Sequence, residues 1–176
     1  MIVKTYELQK IKSTNLNFFL LYGSNEGFKE QVIKEYFIKD FEGDIQRYEE
    51  TEILSNYQNF ISNLLNKSFF ENKKLIIITR STDKILKLVD EVIEKNILDI
   101  KLLINANNLE KRSKIRGFFE KEKKAVCIPF YEDDENTLTQ IANNFFNEKK
   151  IPISREILNL IIERCRGDRQ NLYTEL

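Results

Sequence analysis

Two kinds of segment alternate along the chain. Short, mainly apolar runs of strand length fall at residues 16–22, 75–79, 100–105 and 125–130, rich in branched and aromatic side chains, with a weaker run at 45–48. Between them apolar positions recur at helical spacing. Phe28, Val32, Ile33 and Tyr36 mark a helix over 26–39, and Ile53, Tyr57, Phe60, Ile61, Leu64 and Leu65 mark one over 52–66. Ile85, Leu86, Val89, Val92 and Ile93 mark a third over 83–96, and a fourth covers 113–123. Asp83 and Ser113 stand at the starts of the last two, where an oxygen side chain can cap the exposed N–H groups.

Strand and helix thus alternate five times. Strands apolar on both faces must be covered on both faces, which predicts an α/β domain with a parallel sheet sandwiched by helices over residues 1–133. From residue 134 the pattern is helical only, at 138–147, at 154–166 and in a third helix opened by Asp168. This predicts the start of a small helical second domain over 134–176, with the acidic residues 132–135 as the solvated junction. The last pattern runs to Leu176 without a stop signal, so a truncated chain is expected.

Composition narrows the chemistry. The chain has no histidine and two cysteines, Cys127 and Cys165. No histidine-dependent triad can be assembled, and a structural zinc site lacks its ligands, so no metal is expected. Both thiols are expected to be buried and free, in a reducing cytoplasm. The 28 basic and 28 acidic residues cancel, so bulk charge predicts no affinity for nucleic acid. The N-terminus lacks an apolar leader and no apolar run approaches bilayer length, which predicts a cytoplasmic protein.

The first strand–loop–helix unit is where such folds hold phosphate. A working P-loop reads G-x-x-x-x-G-K-[ST]. Here Gly23 and Gly27 are one position too close, Phe28 separates Gly27 from Lys29, and Glu30 stands where a magnesium-binding hydroxyl is needed. Glu26 and Glu30 would also place negative charge beside a phosphate. The loop has the position of a phosphate cradle without its chemistry, so no nucleotide or other cofactor is expected and Gly23 is read as a strand-to-helix turn.

Four stretches carry a resemblance. They are LLYGSNEGFKEQ at 20–31, SFFENKKLII at 68–77, NLEKRSKIR at 108–116, and the helix opened by Gly167, Asp168 and Arg169 and closed by Glu175 and Leu176. In this order they resemble the clamp-loader delta subunits of bacterial DNA polymerase III. The resemblance implies an AAA+-like fold with a degenerate, non-functional P-loop at Gly23, Gly27 and Lys29. It implies no intrinsic catalysis, in a subunit of a nucleotidyltransferase holoenzyme that serves DNA replication. The implied partners are the sliding clamp (beta), which such subunits bind and open for loading onto primed DNA, the gamma/tau and delta prime subunits, and DNA indirectly through the assembled loader. The resemblance stops short of that family's third, collar domain, which is therefore expected to be missing from this chain.

The residues support the same clamp-binding site. Phe69 and Phe70 lie between an amphipathic helix and the charged stretch Glu71, Asn72, Lys73, Lys74. Adjacent residues in a helix-to-strand loop do not easily both face the core. Exposed aromatics rimmed by charge form the anchor of an interface. In the alternative, both rings pack under the sheet. Leu65 either extends this patch or, by its helical phase, belongs to the core. The basic residues Lys111, Arg112, Lys114 and Arg116 face DNA or a sibling subunit, or else form a solvated helix face, the reading favoured by the interleaved Glu110, Glu120 and Glu122. An active AAA+ or P-loop ATPase and a DNA-binding regulator remain the alternatives to the clamp-loader reading.

Overall fold

The computed structural model describes residues 1–65, 73–95 and 99–176. Its centre is the pair of apolar runs Phe18–Tyr22 (β1) and Ile100–Ala106 (β4), buried along nearly their whole length. Asp44–Glu49 (β2), Lys74–Ser81 (β3) and Ala125–Pro129 (β5) complete the sheet, in the order β2-β3-β4-β1-β5 with every pairing parallel. Continuous apolar strands therefore do form a parallel sheet buried on both faces. The edge strand β2 has no fully buried position, its residues being exposed or half-buried, and one side of it lacks a neighbour. At the other edge the N-terminus adds a short parallel bridge, Ile2 beside Cys127.

The helices are Gln9–Lys12 (α1), Glu26–Val32 (α2), Glu50–Ser55 (α3), Tyr57–Leu65 (α4), Leu86–Glu94 (α5), Lys114–Lys121 (α6), Glu135–Lys149 (α7), Arg155–Cys165 (α8) and Arg169–Glu175 (α9). One face of the sheet is covered by α3 to α6 through Ile53, Ile61, Leu88, Val89, Ile115 and Phe119. The other is covered by the N-terminal turns, α2 and the π-helical stretch Ile33–Ile38 that follows it. A third cluster, of Leu138, Ala142, Leu158, Ile162, Cys165 and Leu172, lies within the helical segment and shares no residue with the other two.

Three local expectations are corrected. The helix expected over 52–66 is two helices, because Asn56 leaves helical geometry at φ −134°, ψ 40°. The helix expected over 26–39 changes to π geometry at Ile33. Asp83 does not cap its own helix, which begins with a 3-10 turn capped by Thr82. Its carboxylate instead reaches across to α6, accepting from Ser113 Oγ at 2.7 Å and from the Lys114 and Ile115 N–H groups at 3.0 Å each. Ser113 is the N-cap of α6, as the sequence predicts.

Desolvation works against the Asp83 charge, but the Ile115 and Lys114 N–H bonds outweigh it and hold the carboxyl below its ordinary range. A depressed carboxylate stabilises above its unfolded pKa and loses that contribution as pH falls through the folded one. Asp83→Ala is expected to lower unfolding stability by about 1–2 kcal/mol at neutral pH. In urea titrations its gap to wild type should close as pH drops below about 4. A gap that persists at pH 2 would mean the loss comes from packing.

Candidate functional site

The loop from β1 to α2 is built around Gly23. Its φ is +132°, and a Cβ there would stand 1.9 Å from the Phe130 carbonyl oxygen. Its N–H donates to Asn107 O at 3.2 Å. The turn thus places the α2 N-terminus at the carboxyl end of the sheet, the ordinary position for an anion in an open α/β fold.

That position is filled by the chain itself. Asn25 is buried, and its Oδ1 accepts from Phe28 N at 3.0 Å, taking a donor that a phosphate would need. Its Nδ2 donates to Tyr131 O at 3.1 Å and to Asp133 Oδ2 at 2.8 Å. Gly27 faces the backbone of α9, so close that a Cβ on it would lie 2.4 Å from Gln170 N. Lys29 is fully buried, and its Nζ donates to Glu26 Oε1 at 2.6 Å and Ala106 O at 2.7 Å. Burial lowers the Lys29 pKa and the Glu26 carboxylate opposes the shift. Two of the ammonium's three donors are thus taken by the chain itself.

Arg169, from the helical segment, closes the corner. Its Nε and Nη2 donate to Asp133 Oδ2 and Oδ1 at 2.6 and 2.9 Å, a bidentate pair. The two side chains are only 12% and 8% exposed. Nη1 donates to Gln31 Oε1 at 3.2 Å, and the guanidinium lies 3.6 Å from the Phe28 ring centroid. Phe28 in turn meets Phe130 edge-on at 5.2 Å.

Beside this corner the strand ends offer little chemistry. β3 ends in Thr79, Arg80 and Ser81, with no carboxylate to hold a cation, and Thr79 Oγ1 donates to Tyr48 O. Among the described residues no three acidic, cysteine or histidine groups gather at metal-binding distance. Asn105, near the end of β4, keeps a buried Oδ1 without a hydrogen-bond partner.

The residues singled out in the sequence are distributed as follows. Gly23, Gly27 and Lys29 meet at this corner. Phe69 and Phe70 lie outside the described residues, and Leu65 is described only as the last residue of α4. Lys111, Arg112 and Lys114 are exposed at the start of α6, with Arg112 Nε 2.6 Å from Glu110. Arg116 is committed inside the chain. It pairs with Glu120 at 2.8 Å, donates to Leu109 O at 3.1 Å and lies over the Tyr22 ring at 5.0 Å. Cys127 and Cys165 are buried free thiols, and burial pushes the Cys127 thiol up to about 12.

Asn25, Asp133, Arg169 and Gln170 escaped the sequence reading as site residues. The N-cap position before Glu26, the acidic run 132–135, read as a solvated junction although the Asp133 side chain is buried against Arg169, and the Gly167-Asp168-Arg169 stretch were the signals for them, and none says that these segments meet.

No family model matches the sequence, and no curated protein matches it. Solved structures do. The chain is similar to domain III of the replication initiation protein DnaA of Thermotoga maritima, at 15% identity and TM-score 0.51 over 94% of this chain and 76% of that one. It is similar to the DNA clamp loader delta protein (YqeN) of Bacillus subtilis, at 16% identity and TM-score 0.53 over 97% of this chain and 55% of that one. It is also similar to the RuvB Holliday junction branch migration motor of Thermotoga maritima, at 15% identity and TM-score 0.56 over 94% of this chain and 55% of that one. The chain has an AAA+-type fold. It spans little more than half the length of the clamp-loader and RuvB chains it matches. Within that fold its phosphate corner is occupied by Asn25, Lys29 and the start of α9. No helix among the described residues is long and apolar enough to cross a membrane.

Proposed function

We propose that this chain is a non-catalytic clamp-loader subunit of the delta type, which grips a sliding clamp through Phe69 and Phe70 and favours the opened ring. The observation that carries the reading is the AAA+-type fold with its phosphate corner filled by its own side chains. In this reading the corner serves no nucleotide, and what the domain has to offer is a surface. The four sequence stretches that resemble delta subunits and the likeness in fold to a clamp loader delta protein support the same reading. Opening a ring requires binding the opened form more tightly than the closed one, which a fitted hydrophobic wedge achieves without chemistry. In this reading the partners are the clamp, the gamma/tau and delta prime subunits and, through the assembled loader, DNA, all in the cytoplasm.

The test is calorimetric titration of the chain with a bacterial sliding clamp, alongside the Phe69→Ala/Phe70→Ala double variant. Burying each ring is worth about 1.5–3 kcal/mol. The double variant should therefore bind at least about a hundredfold more weakly while keeping the wild-type circular dichroism spectrum. Failure of the wild-type chain to bind overturns the function. Equal binding by the variant overturns the site.

A further inference from the structure

The helical segment 134–176 has its own apolar cluster, separate from both clusters of the sheet domain. Where it meets the sheet domain the bonds are largely polar and converge on one corner. Arg169 binds Asp133, Gln31 and the face of Phe28, while Asp133 also accepts from Asn25. The Asp133 N–H donates to Gly167 O at 3.0 Å, and the α9 backbone packs directly on Gly27. We propose that this corner is a latch, an internal strut centred on the Arg169–Asp133 pair that fixes the helical segment against α2 without any ligand.

The geometry gives the pair this role. A fork-shaped guanidinium bonded on two edges and stacked on a ring has one orientation, unlike a lysine in the same place. The pair is shielded from water, so salt screens it little. Removing one partner leaves the other buried and uncompensated, which favours opening of the corner over a rearranged closed form. The two apolar clusters on either side remain intact, so the expected motion is a swing of one packed body against another, pivoting at the connection between β5 and α7. The inference holds whether or not the chain grips a clamp.

The experiment is residue-resolved amide hydrogen exchange on the full chain, comparing wild type with Arg169→Ala, Arg169→Lys and Gln31→Ala. The Asp133 amide reads the corner directly, because its bond crosses to Gly167. Amides of β1 and β4 read the sheet, and interior amides of α8 read the helical segment. Exchange at Asp133 is expected to rise at least about tenfold in Arg169→Ala and by less in Arg169→Lys and Gln31→Ala. The β4 and α8 interior amides should keep their wild-type protection. Unchanged exchange at Asp133 overturns the latch. So does a parallel rise in β4 or α8, since the pair would then be supporting general stability and no specific junction.

Discussion

Gly23→Ala is expected to destabilise the chain severely, with a loss of at least about 4 kcal/mol where such domains have about 5–15 in total. Two effects act together. A positive φ in a non-glycine residue costs of order 1–3 kcal/mol. The added Cβ would also sit 1.9 Å from Phe130 O and 2.6 Å from Phe130 C, backbone atoms of the residue that follows β5. No rotamer change relieves a clash with backbone. The chain would have to pull the start of α2 away from the sheet, breaking the Gly23 N–H bond to Asn107 O. Gly117→Ala is the control. It lies within α6, and a Cβ there meets nothing within 4 Å. It should stabilise the chain by about 0.5–1 kcal/mol through helix propensity alone. Urea unfolding followed by circular dichroism distinguishes the two. A Gly23→Ala variant with wild-type stability would show that the turn adapts and that its geometry does not depend on glycine.

The second large effect is expected at Lys29, where two substitutions should diverge. Lys29→Ala removes a fully buried stem and leaves Ala106 O without its donor. A loss of about 2–4 kcal/mol follows from the cavity and the orphaned carbonyl. Lys29→Met keeps the volume and deletes the buried charge. Glu26, whose side chain is half exposed, can rehydrate. Lys29→Met also leaves Ala106 O without this donor, but it opens no cavity and buries no charge, so it should lose clearly less than Lys29→Ala, about 1–2 kcal/mol. A phosphate-binding lysine would show the reverse, with ligand affinity lost and stability unaffected. The pH dependence has a definite sign. Burial lowers the Lys29 pKa, so between the folded value and the unfolded one near 10.4 the unfolded chain binds more protons. Wild-type stability should therefore rise relative to Lys29→Met as pH increases through that window. A falling difference would mean that the Glu26 pairing, and not burial, dominates.

Some of this was legible residue by residue. The defect of the phosphate loop was visible because spacing within one loop is local: Gly23, Gly27, Phe28 and Lys29 are neighbours in sequence and in space. The capping role of Ser113 was legible for the same reason. Asp83 was misassigned because its position fits the start of a helix, while its three donors lie 30 to 32 residues away. The break at Asn56 was hidden because the apolar stripe of 52–66 continues in phase across it, and periodicity reports which face is buried without reporting whether the backbone is continuous.

By itself the sequence determined the layered α/β architecture and its parallel sheet. A run such as Leu75–Ile78 has no polar face, so it is stable only with cover on both sides, and that requirement is local to the run. It also determined that a standard phosphate loop was absent. Only the tertiary structure decided what stands in its place. The Asn25–Asp133 and Arg169–Gln31 bonds span 108 and 138 residues, and the Arg169–Asp133 pair spans 36. A side chain's hydrophobicity and spacing specify whether it is buried. Which partner a buried polar group finds depends on where distant segments are brought once the sheet has formed.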